Sequence, residues 1–135
     1  MLRLSVPPGL AAIAAAQAAI EAWAREAGLS AAATYRLALV AEELLANLAM
    51  HGRFAGEPPA ARLSVEAAEG GAVLVIEDAA APFDPWEAPV PAAPSLADDR
   101  VGGMGLALVR KMAASLEYGP AGAGWNRTRV GIAGG

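Results

Sequence analysis

Cysteine is absent from this 135-residue chain. Disulfides, thiolate nucleophiles and cysteine-ligated zinc are therefore excluded. A single histidine, His51, leaves little room for a conventional zinc site. The 10 Lys and Arg residues are outnumbered by 14 Asp and Glu, a formal net charge of −4. The basic footprint of a nucleic-acid binder is missing. No apolar run approaches the roughly 18–20 residues needed to cross a bilayer. One arginine and two early prolines make the N-terminus a poor signal peptide. The expected address is cytoplasmic, with neither membrane nor nucleic acid as a direct partner.

Hydrophobic residues make up 56% of the chain, ample for one core and too apolar for disorder. Much of that fraction is alanine, so the core should rest on a few large residues and close helix contacts. Neither a repeat nor a second composition is visible, and one domain spanning 1–135 is expected.

Residues 2–6 alternate apolar and polar and read as a short strand ended by Pro7, Pro8 and Gly9. Residues 10–27 read as an alanine-rich helix with Ile13, Ile20 and Trp23 on one side and Gly28 as its stop. Ser30 can cap a second helix over 31–51. Leu37, Ala41, Leu44 and Leu48 lie along one stripe of it, and Leu39, Glu43, Asn47 and His51 along the next. Leu63, Val65 and Ala67 alternate with Arg62, Ser64 and Glu66. A Glu69-Gly70-Gly71 turn leads into a second strand at 72–77, a hairpin with Asp78 at its end. Five of the ten prolines fall between 82 and 94, so regular structure is not expected there. A Gly102-Gly103-Met104-Gly105 loop then precedes a helix over 106–114 and two strands at 115–119 and 125–132. This inventory fits an α/β two-layer sandwich, a mixed and largely antiparallel sheet with helices on one face.

Four features carry chemistry. Glu43 and Asn47 stand one helical turn apart. A carboxylate there can take a proton, and an amide oxygen can ligate magnesium, a hard cation. Asp78 at a strand end can accept a hydrogen bond from an exocyclic amine such as that of adenine. Gly102, Gly103 and Gly105 allow backbone N–H groups at a helix start to approach phosphate. The stretch 84–101 has the length of a lid. Each feature also has a structural reading: a polar helix flank, a turn aspartate, a tight glycine loop, an exposed connection. The same holds beside them for His51 as a helix cap, Trp125 as packing and Arg100 as a solvated cation.

In their order these pieces resemble the histidine kinase-like ATPase domain, and most closely the bacterial anti-sigma factor serine kinases. LVAEELLANLAMHG (39–52) is similar to that family's first box, VIEDAAAPFDP (75–85) to its second, and RVGGMGLALVRKM (100–112) to its third. The resemblance covers nearly the whole chain. It implies that Asn47 holds Mg²⁺ on the phosphates of ATP. Glu43 would orient or deprotonate the accepting serine, Asp78 would read adenine, and Gly102, Gly103 and Gly105 would clasp the phosphates. The implied activity is an ATP-dependent protein-serine kinase and anti-sigma factor. Its implied partners are an anti-anti-sigma protein carrying the acceptor serine, a sigma factor, and a second copy in a homodimer. Two positions depart from the pattern: Ala80 stands where the second box usually has glycine, and Ala113 where aspartate often follows the third box's methionine. The competing reading is a non-catalytic interaction module of the same fold.

Overall fold

The computed structural model describes residues 1–6, 10–51, 61–79, 101–122 and 124–135. Eight elements follow in chain order: β1 (Leu2–Ser5), α1 (Leu10–Ala27), α2 (Ala31–His51), β2 (Ala61–Ala68), β3 (Gly71–Asp78), α3 (Val101–Met112), β4 (Ser115–Gly122) and β5 (Trp125–Ile132). The strands form one five-stranded sheet in the order β1-β2-β3-β5-β4. Every pairing between them is antiparallel.

The turn between the first two helices follows from its sequence. Gly28 has φ of +79°, a conformation that costs a side-chain-bearing residue strain. There the Gly28 N–H donates to the Arg25 carbonyl (3.2 Å) and the Leu29 N–H to the Ala24 carbonyl (3.0 Å). That is the Schellman closure, with Leu29 packed on the core as its apolar contact. Ser30 Oγ then accepts the Ala33 N–H at 3.0 Å and caps α2. Both the expected stop and the expected cap are found.

Along α1, Ile13, Ile20 and Ala24 are buried with Ala16 between them, and along α2 Leu37, Val40, Ala41, Leu44 and Leu45. They meet the inner side chains of the sheet: Leu63 and Val65 of β2, Leu74 and Ile76 of β3, Val130 and Ile132 of β5. Helix α2 packs against both α1 and α3 and touches β3 and β5. The opposite sheet face is polar. Glu77 there accepts from Arg127 Nη2 at 2.9 Å and lies 3.6 Å from Arg62 Nη2. The Arg62 guanidinium in turn stacks 4.1 Å over the Trp125 ring, so Trp125 packs as expected.

Four boundaries differ from the sequence reading. The β2–β3 turn consists of Glu69 and Gly70 alone, both at positive φ, with Gly71 already in the strand. Helix α3 begins at Val101 and takes the three glycines into its first five residues, because packing against α2 overrides weak propensity. It ends at Met112, since the Ala114 N–H donates to the Gly131 carbonyl (2.8 Å) of the sheet instead of to the helix. Strand β4 runs past Pro120 because it is an edge strand, where a missing N–H breaks no ladder. Ala113 packs on the core, a structural position.

Gly71 and Gly28 are constrained for different reasons. A Cβ at Gly71 would collide with the Ile132 carbonyl oxygen and the backbone after it, whereas one at Gly28 would meet open space. Gly28→Ala should cost about 1 kcal/mol through φ alone. Gly71→Ala should cost more, about 1–3 kcal/mol, by forcing strands apart. Chemical denaturation of both variants checks the order.

Candidate functional site

The sheet's inner face changes character along its length. Its successive rows are Leu2, Val65, Leu74, Val130 and Leu116, then Leu4, Leu63, Ile76, Thr128 and Tyr118, then Ala61, Asp78, Asn126 and Pro120. Among the described residues the buried polar side chains are Asp78, Asn126 and Thr128. All three sit together at one end of β3 and β5. Asn126 Nδ2 donates to Asp78 Oδ1 at 3.0 Å. An otherwise apolar core thus closes on a polar corner, and burying such groups costs stability unless they are bonded. The small side chain of Ala61 flanks Asp78 on β2.

Glu43 and Asn47 lie half-buried on α2, beside the buried row Leu37, Ala41 and Leu44. The Glu43 pKa is raised above the ordinary carboxylate value, first by burial and second by the negative charge of Glu42. A carboxylate shifted this way is a stronger base.

Gly102, Gly103 and Gly105 all fall within α3, two of them in its first turn, which has no acidic residue. Three glycines cost a helix about 3 kcal/mol relative to alanine. The amides at this end keep the positive pole of the helix uncompensated by a carboxylate of their own. Because α3 packs on α2, the glycine turn and the Glu43–Asn47 turn belong to adjoining helices.

The structure thus joins Asp78 to Asn126 directly and sets Glu43 and Asn47 on one helix face. Ala80, Arg100 and the lid reading of 84–101, apart from Val101, lie outside the described residues, as does the side chain of His51. A groove of about 420 Å³ lined by Glu117, Tyr118, Gly119, Pro120, Arg127 and Arg129 opens at the β4 edge and holds none of the expected site residues.

Residues 6–129 match the family model of the histidine kinase-like ATPase domain. The chain belongs to that family. In fold this histidine kinase-like ATPase domain is similar to the crystal structure of the RsbU and RsbW domains of Rv1364c from Mycobacterium tuberculosis. The TM-score is 0.61 at 14% identity, covering 98% of this chain and 32% of that one. The chain therefore spans about a third of that structure's length, and the likeness is one of fold. No curated protein matches the chain in sequence.

The donors suit what an ATPase domain holds. The buried Asp78 carboxylate suits an exocyclic amine, the Asn47 amide oxygen suits a hard cation that retains waters and phosphate oxygens, and the α3 amides suit anions. Sequence reasoning missed Asn126 and Thr128. Their signal was available: in strand 125–132 both fall on the parity of Val130 and Ile132, polar residues where the pattern calls for apolar ones.

The raised Glu43 pKa has a consequence for stability. Its folded pKa exceeds its unfolded one, so the ionised carboxylate costs stability at neutral pH, and that cost fades as pH falls through the folded pKa. Glu43→Gln should therefore raise the Tm near neutral pH, with the gain over the parent shrinking as pH falls to about 4. Thermal melts of both proteins across that range are the check.

Proposed function

We propose that this chain is an ATP-dependent protein-serine kinase and anti-sigma factor. Its acceptor is a serine of an anti-anti-sigma protein, its second partner a sigma factor, and it works in the cytoplasm as a homodimer of single 1–135 domains. The observation that carries the reading is the half-buried Glu43, with its raised pKa, one turn before Asn47 in a histidine kinase-like ATPase domain. The family implies ATP; the three sequence boxes support the anti-sigma kinase branch.

Glu43 takes the proton of the acceptor serine as that oxygen bonds to the γ-phosphorus and the bond to the β-phosphate bridging oxygen breaks, releasing ADP. Asn47 holds the metal, Asp78 accepts from the adenine amine, and the backbone of Gly102, Gly103 and Gly105 lies against the phosphates. Mg²⁺, when bound, neutralises charge developing on the phosphate oxygens. Phosphoryl transfer needs positioning and charge neutralisation above covalent chemistry, and these residue types supply both.

Ala80 favours the second reading, a non-catalytic module that grips its partner through protein contacts, because alanine stands two residues after Asp78 where the family pattern has glycine. Calorimetric titration with ATP, with and without Mg²⁺, separates the two. Magnesium-dependent binding that Asn47→Ala removes is expected, and an absence of binding in both conditions would favour the module. Glu43→Ala should lower transfer to a cognate acceptor by about 100-fold or more while ATP affinity holds. Equal transfer by variant and parent would remove Glu43 from the mechanism.

A further inference from the structure

We propose that Asn126 is a positioning residue that aims the Asp78 carboxylate and thereby makes the site selective for a purine bearing a 6-amino group. This rests on the ATP-site reading of Asp78 and adds a residue that reading does not contain.

Asn126 stands directly opposite Asp78 in the β3–β5 register, and Ala61 stands opposite it on β2. Of these two flanking residues Ala61 offers only a methyl group, whereas Asn126 donates its amide to Asp78 Oδ1 at 3.0 Å. Both partners are nearly buried, at 5% and 6% exposure, so water competes little for the bond. Asn126 is also out of keeping with its strand. Val130 and Ile132 on the same parity are apolar and buried, and a leucine at 126 would extend the core. A buried amide at this position is explained by what it bonds.

A carboxylate on a short side chain can rotate about its last bond. A donor fixed on Oδ1 sets the plane of the group and with it the direction in which Oδ2 accepts. Asn126 carries no charge, so it orients the group without neutralising it. An oriented, acceptor-only group matches an amine donor at the purine 6-position. It meets a 6-oxo group acceptor to acceptor, and it gains nothing from a purine with hydrogen there. Geometry at Asp78 then becomes base selectivity, since a site built to bond an N–H rejects the analogue that lacks it.

The test compares binding of ATP with that of purine riboside 5′-triphosphate, which lacks only the 6-amino group. The parent protein should prefer ATP by about 10- to 100-fold, the range of a hydrogen bond to a charged group. Asn126→Ala and the near-isosteric Asn126→Leu should bring the two affinities to within about 3-fold of each other, mainly by weakening ATP. Asn126→Thr keeps a donor and should retain the larger part of the preference. A merely structural role would weaken both nucleotides alike, so an unchanged ratio in the variants that fold overturns the proposal and leaves the ATP reading standing. A parent that binds neither nucleotide overturns both. Should Asn126→Ala fail to fold, the leucine and threonine variants carry the comparison.

Discussion

The pairing of β3 between β2 and β5 is the constraint on which the rest depends. As a central strand it is hydrogen-bonded on both sides, and its inner residues Leu74 and Ile76 are sealed by α2. Because side chains alternate with a period of two, once Leu74 and Ile76 face the helices Asp78 must do so too. A slip of one residue would turn Asp78 outward and bring Glu77 in. The outer ladder resists that slip: Arg62, Glu77 and Arg127 lie in one row across three strands, and each arginine pairs with the Glu77 carboxylate between them. Exposed pairs contribute little stability, about 0–1 kcal/mol, but here they mark a register that the apolar inner face also demands.

The candidate site is where the fold departs from its own rules. Three buried polar groups stand at the end of apolar strands, three glycines weaken the start of a helix, and a glutamate is half-buried beside another carboxylate. Each departure costs stability, and each lies at the polar end of β3 and β5 or on α2 and α3, which pack on each other. A sequence shaped for stability alone would place leucine at 126, alanine at 102, 103 and 105, and a neutral side chain at 43. Local inconsistency of this kind is what functional or strained sites show.

Glu43 shows how fold and chemistry interlock. Helix α2 needs an apolar stripe for the core, and the stripe next to it can be neither fully buried nor fully solvated. A carboxylate on that flank is partly stripped of water, and its pKa rises. The same partial burial that disfavours its charge makes it a better proton acceptor.

Local chemistry determined much of this molecule from sequence alone. Gly28 and Ser30 end one helix and begin the next through bonds within six residues, and the alternation in 61–78 sets which side chains face in, so these were legible without coordinates. The i, i+4 pairing of Glu43 with Asn47 is likewise a property of any helix. What only the tertiary structure decided involves partners far apart in the chain. The Asn126–Asp78 bond spans 48 residues, and no local pattern announces which strand β3 will take as its second neighbour. The start of α3 depended on packing against α2, and its end on a backbone bond to Gly131. Helix propensity weighs the glycines one at a time, whereas the fold weighs the contacts of the whole element, and there the contacts prevailed.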